Sequence, residues 1–431
     1  MIRKILFAIL FLISGISEAE VKELTCSYGI KFWYSRDNSD PLINIAVAFK
    51  NCGSAHMDKT KTSVPNLFVG TIFCGCGSYS KEEFQEKTED ISAIFHGHSD
   101  SDNVLFFFEY PKIVSAEAAS LIQTFFSFPK FPKEEIEKMK NAISYRLENY
   151  QVAPISWCES VLFPKLLFKN HPYGDSVAAP ENVLQLNDAD LKSFHKKYIV
   201  RSNVELCIFG DISEKEAVKL ADQILSSIPK GEKAQDNIPD TEPTLENFSE
   251  KYHIEGPQSY IIFALPNILK NSGQKFAAYV LYLIFGDGGF RSYIIKKLRS
   301  ELGLIYYGGV SKIEKKHSCF EIGLLQTSNN HTAAAVDSIK SLIKNLKEKG
   351  ISQKELDFAK NNIKGKFLVN LRTSRDLCNF YMMKKLQGCS TNVLDEFLRG
   401  IDTVTLDQVN SLAKQIFDEE NIPIVIIGGN E

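Results

Sequence analysis

The chain has 431 residues, of which 44% are hydrophobic and 24% charged, with a formal net charge of −3. That length exceeds one ordinary hydrophobic core and predicts two domains of about 200 residues each. The near-neutral balance, with no nucleic-acid motif in the chain, excludes a polyanion as the expected partner.

Arg3-Lys4, the apolar run 5–13 and the small-residue end Ser17-Glu18-Ala19 predict a secretory signal peptide over 1–19. The apolar run is too short for a stable membrane anchor. No later stretch is long and apolar enough either, so the mature chain is expected to be exported, soluble and periplasmic. The cysteines, Cys26, Cys52, Cys74, Cys76, Cys158, Cys207, Cys319, Cys378 and Cys389, are scattered and odd in number. That argues against a fully paired disulfide framework.

Residues 42–49 alternate as a strand, and Cys52-Gly53-Ser54 follows as a turn. Helices are predicted over 64–73 and 81–95, a very apolar strand over 104–110, and amphipathic helices over 115–126 and 133–150. This order implies an α+β layer in which helices cover one face of a sheet. Further on, Asp188 is placed to cap a helix running to Tyr198, followed by a strand over 203–209, a Gly210-Asp211 turn and a helix over 214–228. Residues 231–250, with Pro239 and Pro243, read as a solvated linker between a first domain at 20–230 and a second at 251–431. The second domain restates the element order of the first: strand 258–266, helix 276–285, strand 318–325, helices 332–349 and 353–371, and strand 422–427.

The stretch 286–307 is the densest in chemistry. Gly286, Gly288 and Gly289 allow a tight turn and a close backbone approach. From Phe290, Tyr293, Ile294, Leu298 and Leu302 recur at helical spacing, and Gly303 ends the helix with Arg299 in its last turn. Residues 304–307 then read as a strand, so Arg299 and Tyr306 flank a helix-to-strand turn. A guanidinium fork and a phenol at one spot suit the holding of a carbonyl or a developing oxyanion. The plainer alternative is that Arg299 caps the helix while Tyr306 is packing.

Gly288, Gly289, Ser292, Leu298, Arg299, Gly303, Leu304 and Tyr306 form a pattern that resembles the pitrilysin/insulinase family, the inverted-motif zinc metallopeptidases. His171-Pro172-Tyr173-Gly174, the following helix and strand, and Gly210-Asp211 extend the likeness over most of the mature chain. The resemblance implies two similar α/β-layer domains, each an antiparallel-rich sheet covered by helices, arranged as a clam-shell. It also implies that Arg299 and Tyr306 bind and polarise a peptide. A zinc motif, His-x-x-Glu-His, belongs within 63–73 of such a chain. Asn66 and Gly70 stand where the two histidines would be and Val69 where the glutamate would be. Arg146 stands where a later glutamate ligand is expected, with Glu148 a near miss. None of these residues can do that chemistry.

The chain is therefore expected to bind no cofactor in the family's way and to have no catalytic residues alone. The resemblance implies a heterodimer in which a homologous peptidase subunit with an intact zinc motif supplies the zinc. This chain would then contribute Arg299 and Tyr306, with Gly288 and Gly289 letting the turn approach the peptide substrate. The alternative is a catalytically dead member that acts as a binding or scaffold protein. No Ser-His-Asp or Cys-His arrangement stands out at motif spacing. One competing constellation, His56, Cys74, Cys76, His96, His98 and Asp100, would form a separate metal site if the fold gathered it.

Overall fold

The computed structural model describes residues 20–267 and 273–429. The expected signal peptide, 1–19, lies outside them. Strands β1 (Lys22–Thr25), β2 (Lys31–Arg36), β3 (Leu42–Phe49), β4 (Ile94–Ser99), β5 (Val104–Pro111) and β6 (Val204–Gly210) form one sheet in the order β1-β2-β6-β3-β5-β4. A second sheet, ordered β7-β11-β8-β10-β9, is built from β7 (Phe248–His253), β8 (Gln258–Pro266), β9 (Ile305–Glu314), β10 (Cys319–Ser328) and β11 (Pro423–Gly428). The architecture is α+β, two sheets each layered with helices.

The central strand β3 explains why both faces of the first sheet are dry. Ile43, Ile45, Val47 and Phe49 point into one core while Ala46 and Ala48 point into another, the two-residue alternation of a strand. The first core is covered by helices α1 (Val64–Ile72), α2 (Lys81–Asp90), α3 (Ser115–Ser127), α4 (Lys133–Glu148), α5 (Asp188–Tyr198) and α6 (Glu214–Ser226). Its centre is aromatic, with Phe106 edge-on to Phe126 at 5.5 Å and 81°, a favoured ring geometry. The second sheet is covered in the same way by α7 (Lys275–Tyr282), α8 (Thr332–Lys349), α9 (Gln353–Asn370), α11 (Val393–Thr403) and α12 (Leu406–Ile416), with α10 (Ser374–Leu386) elsewhere.

Helices were expected on one face only, and here the structure differs. The outer face of the first sheet is covered by α10, which comes from the second half: Tyr381 lies edge-on to Trp33 at 5.9 Å, and Cys378 and Met382 are buried beside it. Reciprocally, the helical turns of 154–175 in the first half cover the outer face of the second sheet, where Phe168 meets Phe320 at 5.7 Å. Each sheet needs its partner half to bury its second apolar face.

Three local expectations are also corrected. The helix that begins at Lys81 ends at Asp90, not at Phe95, because Ser92 takes φ 51 and the chain re-enters the sheet as β4. Asn187 and not Asp188 caps α5, with its side chain accepting from Ala189 N at 2.9 Å while Asp190 accepts from Asn187 N. The predicted linker ends early, because 248–250 belong to β7; residues 231–247 contain no helix or strand and are mostly exposed, but they are tethered at several points. Ala234 N donates to Asn203 Oδ1 at 2.7 Å, Thr241 N to His317 O at 2.9 Å, and Ile238 is buried.

The turn joining β9 to β10 enters the first half as a polar plug. Lys315 Nζ donates to Ser101 Oγ at 2.6 Å and Lys316 N to Asp102 Oδ2 at 3.0 Å. Tyr173 Oη donates to Asp102 Oδ1 at 2.9 Å and accepts from His317 N at 3.0 Å. Burial pushes Tyr173 up and the Asp102 charge pushes it further, so the phenol stays a donor.

Candidate functional site

The stretch 286–307 is wound more loosely than an α-helix on both sides of its glycine turn. Helix α7 runs into a π-turn over Leu283–Asp287, closed by Gly288 N donating to Leu283 O at 2.7 Å. A 3₁₀ turn, Gly289–Arg291, follows, and the next helical segment, Ile295–Glu301, is again π-type. The expected α-helix from Phe290 is thus a 3₁₀ turn and a π-segment that starts after Ser292. Its end is as predicted: Gly303 takes φ 64, and Leu304 N reaches back to Leu298 O at 2.8 Å. Short π-segments recur at functional positions because they swing side chains out of regular register.

The glycines do different jobs. A Cβ on Gly286 would lie 2.9 Å from Val310 N, so this one lets the turn pack against β9. A Cβ on Gly288 would lie 2.6 Å from Leu283 O, inside the closed π-turn. Gly289 has open space around it but takes φ 61, which glycine adopts without strain.

Beyond the π-segment, β9 begins with a bulge. Ile305 pairs with Thr327 and Tyr307 with Gln326, which leaves Tyr306 as the extra residue. A bulge breaks the alternation of faces, and both Tyr306 and Tyr307 are exposed, each at 55%. Arg299 is exposed as well, with its guanidinium 5.6 Å from the ring centre of Phe290, itself 80% exposed. The π-segment and β9 pack side by side. Among the described residues no hydrogen bond joins Arg299 to Tyr306, and Arg299 has no carboxylate partner, while its neighbour Lys297 pairs with Glu301 at 2.9 Å and Lys366 with Asp287 at 2.8 Å. The exposed guanidinium and the exposed phenol can each donate to a carbonyl or carboxylate oxygen brought to them. Phe290 and Tyr307 were not singled out from the sequence. Their signal was weak, since an aromatic beside a glycine turn or at a strand start is ordinarily packing.

The first-half positions tell the opposite story. On α1, Asn66 is exposed, Val69 is buried, and Gly70 faces α4, where the Met139 side chain would lie 2.5 Å from a Cβ. The thioether fills the room a side chain at position 70 would need. Arg146 is exposed near the end of α4, its Nε donating weakly to Ala142 O at 3.4 Å. Seven residues, roughly 10 Å along a helix, separate it from Met139. This donor set does not fit zinc: one amide, one isopropyl group, no side chain and a cation.

The six-residue constellation does not assemble. His56 is buried with Nε2 3.9 Å from Asp102 Oδ1, and Asp100 Oδ1 accepts from the backbone of Asp102 and Asn103, both at 2.6 Å. Cys74 lies by Glu135 at 3.7 Å, its thiol raised to about 11 by burial, and Cys76 is raised to about 12 for the same reason. His96 and His98 share one face of β4 over Phe107. Among the described residues, no three His, Cys, Asp or Glu side chains come together to hold a metal ion.

Residues 32–181 match the family described as Insulinase (Peptidase family M16), and residues 185–363 match the Peptidase M16 inactive domain. The chain is similar to the Helicobacter pylori protein named "Non-peptidase homolog YmxG", at 22% identity over 92% of this chain and 91% of that one. In structure it is similar to the peptidase M16 inactive domain from Pseudomonas fluorescens, with a TM-score of 0.84 and 21% identity over 95% of this chain and 98% of that one. It is also similar to the periplasmic protease PqqL from Escherichia coli, with a TM-score of 0.74 and 16% identity over 96% of this chain and 48% of that one.

Proposed function

Because this chain belongs to the insulinase family, peptidase family M16, we propose that it is the non-catalytic, substrate-binding subunit of an exported two-chain zinc peptidase. The observation that carries the reading is the contrast between its halves: Arg299 and Tyr306 stand exposed with no hydrogen-bond or carboxylate partner among the described residues, while Met139 closes the space beside Gly70. A homologous subunit with an intact zinc motif would supply the metal and the general base. Here Arg299 would donate to the scissile carbonyl oxygen and hold it as charge develops, and Tyr306 would donate a second hydrogen bond. The Gly288-Gly289 turn would bring both to the peptide. The segment 1–19 would direct export to the periplasm, the compartment of one structural neighbour. On this reading 20–230 and 251–431 are the two peptidase-like domains and 231–250 their connection.

The test is co-purification of the mature chain with its partner, followed by peptidase assays on the pair. Arg299→Ala and Tyr306→Phe should each lower kcat/KM by about 10²–10³-fold, the worth of one oxyanion donor, with assembly intact. Unchanged turnover in both variants refutes the role in trans and leaves the second reading, a binding or scaffold protein. That alternative is favoured by the stacking of Arg299 on Phe290, which gives the guanidinium a partner within the chain.

A further inference from the structure

His96 and His98 are unlike the engaged histidines of the chain. His171, His195 and His317 each have a ring nitrogen in a hydrogen bond, at 3.1, 2.8 and 2.8 Å to Pro239 O, Phe126 O and Asp240 Oδ1. For His96 and His98 no ring nitrogen has such a partner among the described residues, and both side chains are exposed on β4, the edge strand of the first sheet. They are nevertheless held in place. Both imidazoles stack on the ring of Phe107, His96 at 5.0 Å and 14°, His98 at 5.7 Å and 10°.

Their spacing is also fixed. Residues i and i+2 of a strand share a face, with Cβ atoms roughly 7 Å apart, a gap two imidazoles can close on one ion at metal–nitrogen distances of about 2.0–2.1 Å. Gly97 between them keeps the strand flat against its neighbour, since a Cβ there would meet the Phe106 ring at 2.8 Å. Two charged groups of the same face flank the pair. Glu109, paired in register with Ile94, is held by Arg375 Nε at 2.6 Å and by Arg375 Nη2. Burial lowers both histidines, and His98 and then the Arg375 charge lower His96 further, against a smaller raising effect of Glu109.

We propose that His96 and His98 form a two-imidazole site for a borderline divalent transition-metal ion of the Ni²⁺, Cu²⁺ or Zn²⁺ class, with water completing the coordination. Imidazole donors suit these ions and not Mg²⁺ or Ca²⁺. The site lies on the sheet face opposite α1, so it is separate from the position of the family's zinc motif. It does not depend on the proposed role of Arg299 and Tyr306.

The test is calorimetric titration of metal-free mature chain with NiCl2 and with ZnCl2 at pH 7.5, for the wild type, His96→Gln, His98→Gln and the double variant. One ion per chain is expected. Each single variant should bind on the order of ten-fold more weakly or worse, because the second ligand acts intramolecularly, and the double variant should lose the site. At pH 5.5 the wild-type affinity should fall as protons compete for the rings. Circular dichroism checks that the variants fold, as exposed positions allow. Three results overturn the proposal: no binding by the wild type, an unchanged affinity in either single variant, or an ion retained by the double variant.

Discussion

Tyr173→Phe removes one oxygen atom and is expected to loosen the junction between the halves. The Tyr173 ring is fully buried, so phenylalanine keeps the packing and leaves no cavity. What is lost is the donor to Asp102 Oδ1 at 2.9 Å and the acceptor for His317 N at 3.0 Å. A hydrogen bond to a charged group contributes about 1.5–3 kcal/mol, and an orphaned buried donor costs about 1–3 kcal/mol. His317 lies near the surface, where water can replace part of the second loss. The sum is therefore set at about 2–4 kcal/mol. Urea unfolding of residues 20–431 followed by circular dichroism reads it as a lower midpoint at an unchanged slope. A double-mutant cycle with Asp102→Asn should return a coupling of about 1 kcal/mol or more, since the two side chains touch. A total loss under about 0.5 kcal/mol, or additive single effects, would mean that the plug does not fasten the halves and that the two shared apolar layers do so alone.

Gly288→Ala should destabilise by more than Gly289→Ala, because the first puts a Cβ 2.6 Å from the immovable Leu283 carbonyl and the second only strains a φ of 61 in open space. Thermal melts should separate them, with about 1–2 kcal/mol expected for Gly289→Ala; equal losses contradict the closed π-turn. Gly70→His should not create a zinc site, because Asn66 and Arg146 supply no further ligands, and it should cost about 1–3 kcal/mol by displacing Met139. Metal analysis together with urea unfolding tests both halves of that statement. Asp100 is raised from 3.8 to about 6, first by burial and then by the Asp102 charge. A raised carboxyl binds its proton more tightly in the folded state, so its contribution is complete below pH 3.8 and is lost as pH rises through 6. Wild-type stability should therefore fall between pH 4 and 6.5, by on the order of 2 kcal/mol, relative to Asp100→Asn. Parallel stability curves for the two proteins would remove Asp100 as the cause.

Much of the architecture was legible because periodicity reports burial directly. The run 104–110 could only be a dry strand, and α8 has the bounds its 3.6-residue pattern predicts. The apolar ring of Phe95 continues the helical pattern of α2, and only the Ser92 turn, set by sheet pairing, breaks it. Helix α10 leaves no such local signal: its apolar residues pack on a sheet more than 160 residues away in sequence, a relation no local pattern carries.

What the residues determine by themselves is chemical. Val69 and Gly70 can donate nothing to a metal, whatever the fold, and Arg299 and Tyr306 carry the donors that a carbonyl oxygen requires. What tertiary structure decided is availability. The bulge at Tyr306 and the π-winding before it leave both donors in the open, and α4 places Met139 against Gly70. It also scattered six potential metal ligands and left two of them side by side on an edge strand. Side-chain chemistry is written in composition, whereas exposure and proximity depend on strand register and packing between segments far apart in the chain.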